Sequence, residues 1–314
     1  MRIKIKLSLM TVAIMVVVIA GISTVSLMSA SKAAIDLKVE AVHLLGDQQS
    51  AYWEGFIGGY IRVLRTAAAI MGNFEDMPAD QRRDHIEQMM QSVFYSETNM
   101  YNLYTIWMPN ALDGMDAQFI DRVGSSPTGQ FALAFSRETG EVARRTSTDI
   151  ADTMAYLATA QGGRVRKEDP FLRTVIPGLS YDEIRASGIT GSQTLLVRIM
   201  VPIFNTRNNE IVGGLAILLT VDLLQEAVEQ TLRESEEIAA MSIYSSAGIV
   251  LASHVPEHIG STIPSLGIYG KNEAAIMEAL RAGEDIDIEA FSPSLGTNLY
   301  YVFTSFPIET AKTS

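Results

Sequence analysis

The first 31 residues constrain the fold most, because they join a short basic segment to a long uncharged one. Arg2, Lys4 and Lys6 precede a run from Leu7 to Ser31 that contains no charged residue. About 20 apolar residues suffice for a helix to cross the hydrocarbon core of a bilayer. Basic residues before such a segment predict a cytoplasmic N-terminus and export of the rest of the chain. Residues 1–31 are therefore predicted to be a cytoplasmic stub and a transmembrane helix in the inner (cell) membrane, with a periplasmic or extracellular remainder.

A cleavable signal peptide is the alternative interpretation of the same segment. Small residues at Ser29–Ala33 would suit a cleavage site. The uncharged run is longer than the apolar core of most signal peptides, which favours an uncleaved anchor.

Composition excludes several kinds of function. The net charge of −12 argues against nucleic-acid binding, which needs a basic surface for the phosphates. Cysteine is absent, so disulfides and cysteine-ligated metal sites are excluded. The sequence also contains no motif of a serine hydrolase, a zinc protease or a phosphate-binding loop. It predicts a non-enzymatic protein without a metal or another cofactor.

A long helix is predicted over residues 32–75. The segment from Ala33 to Gly72 has no proline and is rich in helix-forming residues. Apolar or small residues recur in steps of three, four or seven, at Val42, Leu45, Tyr52, Phe56, Gly59, Val63 and Ile70. This stripe favours an exported stalk helix that packs on its own domain or pairs with a second copy of the chain, so the chain is a candidate homodimer.

Residues 76–232 switch to strand-like patterns and predict a first α/β module. Its helices are expected at 79–94, 149–161 and 222–235, and its strands at 102–107, 130–137, 195–204 and 210–221, with a loop over 162–178. The last two strands form a long hairpin around the polar turn at 205–209. An antiparallel sheet with helices packed against it is typical of PAS-like modules.

Residues 233–314 repeat this order on a smaller scale. Strands are expected at 241–245, 249–253, around 286–288 and at 299–306, with a helix at 272–282. The sequence stops directly after a strand, so this second PAS-like module is expected to be truncated. The predicted fold class is α+β, with an N-terminal transmembrane helix, a long stalk helix and two PAS-like antiparallel-sheet modules.

Three passages carry a resemblance to a known family. They are Leu196–Asn205 with its Pro-Ile-Phe ending, Ile211–Asp222 with its Val-Gly-Gly start, and Ile243–Ser253. With the anchor and the long helix, they resemble the double Cache sensor domain of methyl-accepting chemotaxis receptors and related sensor proteins. The resemblance implies a membrane-distal ligand-binding module over 76–232 and a membrane-proximal module over 233–314.

Candidate ligand-binding residues come from this resemblance. Amino-acid-binding members use an Arg-any-Trp-Tyr motif for the ligand carboxylate, and only Tyr156 matches it here. Arg164 and Arg166 are possible substitutes for the missing arginine, although both also suit a solvated loop. Asp222 is expected either to receive a ligand ammonium group or to cap the following helix.

Trp107 is a further candidate for the ligand pocket. An aromatic side chain followed by Asp113 and Asp116 suits a cation or a sugar-like ligand. The alternative is a core tryptophan followed by a turn. His254 and His258 are separated by Pro256, so they are not expected to share a helical face as metal ligands.

The predicted function is extracytoplasmic sensing of a small polar metabolite by a transmembrane chemoreceptor of the methyl-accepting type. Ligand binding would displace the long helix and so reach a cytoplasmic output. One alternative is the ectodomain of a sensor histidine kinase or diguanylate cyclase. An alternative from another class is an exported hydrolase with a cleaved signal peptide.

Overall fold

The computed structural model describes residues 2–137, 141–161, 171–175, 195–235, 238–292 and 296–306. Its first element is a helix of 70 residues, α1 (Arg2–Met71), which spans about 105 Å at 1.5 Å per residue. The segment predicted to be an anchor is the start of this helix and continues into the predicted stalk without a break. Within the described ranges, no helix combines the length and the apolar character that a membrane span requires.

The second half of α1 forms one side of the main hydrophobic core. Ile57, Ile61, Leu64, Ala68 and Met71 are buried, in alternating steps of four and three residues. This spacing places them on one face of the helix. Farther towards the N-terminus, the described side chains from residue 22 to residue 38 are exposed.

The described residues between 72 and 220 include two α-helices and a six-stranded antiparallel sheet. Helix α2 (Arg82–Ser96) follows two short 3-10 turns. The strands are β1 (Asn102–Trp107), β2 (Ala132–Ser136), β3 (Ala143–Thr146), β4 (Phe171–Val175), β5 (Leu196–Phe204) and β6 (Ile211–Thr220). Helix α3 (Ile150–Gln161) lies between β3 and β4 in sequence. Their order across the sheet is β3-β2-β1-β6-β5-β4. This arrangement confirms the predicted antiparallel sheet with helices against it.

The two faces of this sheet have different neighbours. Leu103 and Trp107 belong to the core shared with α1 and α2, which we call the α1 side. Tyr104 and Ile106 belong to the core shared with α3, the α3 side. Successive side chains of a strand point to opposite faces, so β1 contributes alternately to both cores.

Two adjacent glycines allow close packing on both sides of β6. A Cβ atom on Gly213 would lie 2.9 Å from the carbonyl oxygen of Ile106, and one on Gly214 would lie 3.2 Å from Cγ2 of Thr153. The first contact is too short for a real side chain and the second is unusually tight, so the glycines allow close approach of β1 on one side and α3 on the other.

The tip of the β5–β6 hairpin holds the end of α1. The backbone amide of Thr206 donates to the carbonyl oxygen of Gly72 at 3.1 Å. The Arg207 guanidinium lies 2.9 Å from a carboxylate oxygen of Asp76, and Nδ2 of Asn205 donates to Oε1 of Glu75 at 3.0 Å. The helix end and the hairpin therefore form one unit.

The rest of the chain folds into smaller pieces. Helix α4 (Asp222–Glu234) leads to the C-terminal region, residues 238–306, with elements β7 (Ser242–Tyr244), β8 (Val250–Ser253), α5 (Ile263–Leu266), α6 (Glu273–Ala282), β9 (Ile286–Ser292) and β10 (Thr297–Phe303). Among the described residues, β7–β8 and β9–β10 form two separate antiparallel pairs. The predicted order of two strands, a helix and two strands is confirmed, while the one-turn helix α5 was not predicted.

The C-terminal region is attached to the middle of α1. Oγ of Ser50 donates to the carbonyl oxygen of Ser305 at 2.7 Å, and Nε2 of His43 lies 3.0 Å from Oδ2 of Asp287. A Cβ atom on Gly46 would come within 2.6 Å of Oγ1 of Thr304, so the helix has a glycine where the chain after β10 crosses it. One helix thus contacts both the large sheet and the C-terminal region.

Two edge strands were missed by the sequence prediction. Strand β3 pairs with β2, and β4 pairs with β5 along the opposite edge. The predicted loop over 162–178 is therefore wrong for residues 171–175.

Candidate functional site

A charged cluster lies within the apolar α3 side of the sheet. Arg198, in the middle of β5, is completely buried between the neighbouring apolar side chains of its strand. Its Nη2 donates to Oδ2 of Asp152 at 3.2 Å, and its Nη1 lies 3.5 Å from the Tyr104 hydroxyl and 4.0 Å from Oδ2 of Asp149. Arg198, Tyr104, Asp149 and Asp152 are together called the Arg198 cluster.

Helix α3 supplies both carboxylates of this cluster. Asp149 immediately precedes the helix, and Asp152 lies in its first turn. Residues three apart lie on the same helix face, so both carboxylates reach Arg198. The positive end of the helix dipole also stabilises negative charge at this position.

The charges of the cluster differ sharply in exposure. Only 1% of the Arg198 side chain is exposed, against 36% for Asp149 and 45% for Asp152. The guanidinium therefore lies beneath the two carboxylates, which keep much of their surface open. This geometry presents hydrogen-bond acceptors and negative charge outward, with a buried positive charge that holds them in place.

Burial and neighbouring charges set the protonation behaviour of the cluster. Burial raises the pKa of the Asp149 carboxyl, and the nearby Arg198 guanidinium opposes that shift. Burial also raises the pKa of the Tyr104 hydroxyl, so this group is a neutral hydroxyl at physiological pH. The cluster thus combines acidic groups with a neutral hydroxyl, surrounded by the apolar side chains on the α3 side of the sheet.

Tyr156 is the predicted site residue that lies beside this cluster. It is four residues after Asp152 on α3, and 5% exposed in the same core as Tyr104. Residues four apart share a helix face, so the tyrosine extends the wall formed by the carboxylates.

The structure places Trp107 elsewhere, on the α1 side of the sheet. Its ring is fully buried and packs edge-on against Phe74, with 5.1 Å between the ring centroids. Trp107 is therefore separated from the Arg198 cluster by the sheet itself, as expected of a core tryptophan.

Asp222 lines a small cavity of 240 Å³ at the end of the sheet, together with Tyr101 and Arg137. It is the first residue of α4, while Val221 occupies the N-cap position and makes no side-chain capping bond. Asp222 is exposed. The capping alternative is therefore not what the structure has. Arg164 and Arg166, the other two predicted residues, lie outside the described residues.

The carboxylates of Asp113 and Asp116, considered above as contacts for a cationic ligand, pair with an arginine of the chain itself. Arg83, on α2, lies 2.7 Å from Oδ1 of Asp116 and 2.5 Å from Oδ2 of Asp113. Its guanidinium carbon is 3.8 Å from the centroid of the Phe119 ring. Arg83, Asp113, Asp116 and Phe119 are called the Arg83 cluster. Among the described residues, no group of three or more His, Cys, Asp or Glu residues could hold a metal ion.

Arg198, Tyr104, Asp149 and Asp152 were not singled out from the sequence as candidate site residues. A signal was present in the arginine at the centre of the apolar strand Leu196–Phe204. A buried charge requires partners, so this arginine predicts acidic or hydroxyl groups close to it in the fold, without indicating which element supplies them.

Comparison with known proteins supports a sensory fold. No family model matches the chain. The methyl-accepting chemotaxis protein TlpQ of Pseudomonas aeruginosa is 22% identical over 213 residues, which cover 59% of this chain and 28% of that protein. The chain thus spans little more than a quarter of the length of that relative.

Two solved structures share the architecture. The extracellular domain of the proposed histidine kinase mmHK1S-Z2 superposes with a TM-score of 0.67 at 16% identity, covering 87% of this chain and 94% of that one. The periplasmic sensory domain of the Campylobacter jejuni chemoreceptor Tlp1 gives 0.61 at 14% identity, covering 84% and 88%. The chain therefore has the fold of the extracytoplasmic sensory domains of chemoreceptors and histidine kinases, as its resemblance to the double Cache family predicts.

Proposed function

We propose that this chain is the extracytoplasmic small-molecule-sensing part of a membrane-anchored chemoreceptor of the methyl-accepting type. The fold and the similarity to TlpQ support this assignment. In the proposal, residues 7–31 anchor the chain, residues 76–232 are the membrane-distal ligand module and residues 233–314 are the proximal one. The long helix α1 is proposed to pair with that of a second copy. The role is binding, without catalysis.

The observation that carries the ligand proposal is the arrangement of the Arg198 cluster. Two half-exposed carboxylates stand over one buried guanidinium, so these three side chains sum to one negative charge. A ligand ammonium group would form charge-assisted hydrogen bonds with them, each worth about 1.5–3 kcal/mol. We propose a small polar ligand with at least one amine, bound between α3 and the sheet, with Tyr156 in the pocket wall.

The same arrangement disfavours a ligand held mainly by its carboxylate. Arg198 is already paired with Asp152 and lies close to Asp149. An incoming carboxylate would have to displace these partners and would meet their negative charge. Arg164, Arg166 and Asp222 remain candidate secondary contacts in the proposal.

Transmission is proposed to pass through the sheet to α1. The α3 side of β5 carries Arg198, and the α1 side of the same strand carries Ile199 and Val201, which belong to the core shared with α1. A ligand that pulls α3 towards the sheet would favour one packing of this core over another. Because α1 also contacts the C-terminal region, a small displacement of the helix would reach its N-terminal end.

A matched pair of ligands tests the proposal. Putrescine, 1,4-diaminobutane, and its uncharged analogue 1,4-butanediol are titrated into the full chain by calorimetry, with ethanolamine as an intermediate. We expect an amine to bind and the diol not to bind. Asp152→Asn should weaken amine binding by roughly ten- to a hundredfold, the equivalent of one charge-assisted hydrogen bond.

The control is Asp80→Asn, which removes an exposed carboxylate near the start of α2, away from the cluster. It should leave the affinity unchanged. Equal binding of the diamine and the diol, or equal losses in the two variants, would refute the ligand assignment.

A further inference from the structure

Two strands of the C-terminal region line the same cavity. The cavity has a volume of about 1010 Å³ and lies between this region and the middle of α1. Its lining includes the whole of β7 and the second half of β10, from Tyr300 to Phe303. The two strand pairs of the C-terminal region, β7–β8 and β9–β10, therefore meet at one space.

β7 and β10 are each paired along one edge. β7 pairs with β8 and β10 pairs with β9, and within the described ranges no strand pairs with the other edge of either. An unpaired edge presents a row of backbone N–H and C=O groups, which is a template for another strand. A single strand placed in the cavity could pair with both β7 and β10.

The large sheet of the same chain shows the arrangement that such a strand would complete. There β6 lies between β1 and β5, pairs antiparallel with both, and is buried at every residue except the last. The C-terminal region has the same succession of a strand pair, a helix and a second strand pair, so β7 corresponds to β1 and β10 to β5. The position that β6 fills in the large sheet is the cavity between β7 and β10.

The size of the cavity suits one strand. Neighbouring strands lie about 4.8 Å apart, packed layers about 10 Å apart, and the rise is about 3.3 Å per residue, so a strand of about six residues takes roughly 950 Å³. The cavity volume of about 1010 Å³ accommodates a strand of that length.

The lining indicates the side chains that the strand would carry. Leu45 and Trp53 of α1 line the cavity, as do Tyr269 and Leu280 from the segment around α6. Among the described lining residues, the Asp, Glu, Lys and Arg side chains are limited to Arg281 and Glu284, which are both exposed. A charged side chain would be buried here without a counter-charge, whereas strands covered by helices are usually apolar throughout.

We propose that this cavity accepts an extended apolar segment of polypeptide, about six residues long, which pairs with β7 along one edge and with β10 along the other. The two separate strand pairs would then form one sheet in the order β8-β7-inserted strand-β10-β9. Main-chain hydrogen bonds supply the affinity in this kind of recognition, and the apolar lining supplies the selectivity. Because α1 lines the same cavity, the inserted strand would contact the long helix directly.

A synthetic peptide tests this proposal. The probe has three Val-Ala repeats flanked by two lysines at each end, and amide hydrogen exchange of the full chain is measured with and without it. We expect exchange in β7 and β10 to slow by about tenfold or more at a saturating peptide concentration. The same peptide with every valine N-methylated keeps its side chains and charge but lacks the backbone donors along one edge, so it should leave exchange unchanged.

Two neighbouring alanines provide a matched pair of variants. Ala240 lines the cavity and is partly buried, whereas Ala239 is exposed and lies outside the lining. Ala240→Trp should abolish the protection by the peptide, and Ala239→Trp should retain it. Asp152→Asn should also retain it, which separates this site from the amine site.

Two outcomes would overturn the proposal even if Ala240→Trp fails to fold. One is an unchanged exchange rate in β7 and β10 of the unmodified chain, or equal slowing by the N-methylated peptide. The other is slowing in both strands that depends on the concentration of the chain without any peptide, because a second copy of the chain would then occupy the two edges.

Discussion

Among the residues that the structure describes, two buried arginines, Arg83 and Arg198, each lie between two aspartates, and they differ in how far those aspartates are exposed to solvent. In the Arg83 cluster, the side chains of Asp113 and Asp116 are 0% and 8% exposed. In the Arg198 cluster, the corresponding values are 36% for Asp149 and 45% for Asp152. One arginine and two aspartates thus form a network that is closed to solvent in the Arg83 cluster and open to solvent in the Arg198 cluster.

Hydrogen bonding in the Arg83 cluster explains why it is closed. Arg83 also donates to Oγ of Ser125 at 3.0 Å and to the carbonyl oxygen of Gly129 at 3.1 Å. The cluster pins the segment between β1 and β2 onto α2 and is covered by the Phe119 ring. A buried ion pair is therefore structural when its carboxylates have their hydrogen-bond partners within the protein and are shielded from solvent. It is a candidate binding site when the carboxylates remain exposed to solvent.

The largest expected loss of stability comes from a substitution in the closed network, the Arg83 cluster. Arg83→Met should lower the free energy of unfolding by about 3–5 kcal/mol, because it leaves two buried carboxylates without their counter-charge. Urea denaturation followed by circular dichroism measures this loss. A loss below about 1 kcal/mol would show that the Arg83 cluster is not a structural pin.

Arg198→Met should cost less at neutral pH, roughly 1–3 kcal/mol, because Asp149 and Asp152 can be hydrated once the guanidinium is removed. A loss as large as that of Arg83→Met would contradict the distinction between a closed and an open network. Circular dichroism after urea denaturation allows the two variants to be compared directly.

The pH dependence of Arg198→Met sharpens the same distinction. Burial raises the pKa of Asp149 above its unfolded value, and Arg198 limits that rise. Without Arg198 the folded-state pKa should rise further. A carboxyl with a raised folded-state pKa favours the folded state most when protonated, and this contribution falls as the pH rises above the unfolded pKa.

The stability lost in Arg198→Met should therefore be smaller at pH 4 than at pH 7. Urea midpoints of the variant and the unmodified chain at both pH values measure the difference. A loss that does not change with pH would mean that Asp149 is not coupled to Arg198.

The smallest expected effect concerns Asp222. Its side chain is exposed and lies at the positive end of α4, so Asp222→Ala should lower stability by about 0.3–1 kcal/mol. Because Asp222 lines its own small cavity, the substitution should weaken amine binding less than Asp152→Asn does. Calorimetric titration of both variants with one amine decides which carboxylate is the main ligand contact, and a larger loss with Asp222→Ala would move the site to the end of the sheet.

Much of the fold could be predicted from local patterns. Strand β1 has the predicted bounds, and β5, β6 and α4 lie within two residues of theirs, since long apolar runs and polar turns mark them clearly. Strand β3 was missed because Ala-Arg-Arg-Thr has no alternating apolar pattern, and its residues at the sheet edge are either exposed or only partly buried. Edge strands often have such polar sequences, which hides them from pattern recognition.

The site was harder to predict than the fold. Tyr156 was predicted from the family motif and stays a prediction, but the neighbouring Arg198 and Asp152 were not singled out, because they meet across 46 positions of sequence. Such a pairing depends on how α3 packs on the sheet, and sequence periodicity contains no information about that packing. Trp107 was considered for a cation or a sugar-like ligand, with a core tryptophan as the alternative, and the structure has it buried in the core, while Asp113 and Asp116 pair with Arg83.

Hydrogen exchange compares the Arg198 cluster and the Arg83 cluster in one experiment. The full chain is measured with and without the amine that binds most tightly among putrescine and ethanolamine. Our expectation is added protection in α3 (Ile150–Gln161) and in β5, with no change in α2 around Arg83. Protection confined to α2 and the segment that carries Asp113 and Asp116, or no change in α3 at a saturating amine concentration, would contradict it.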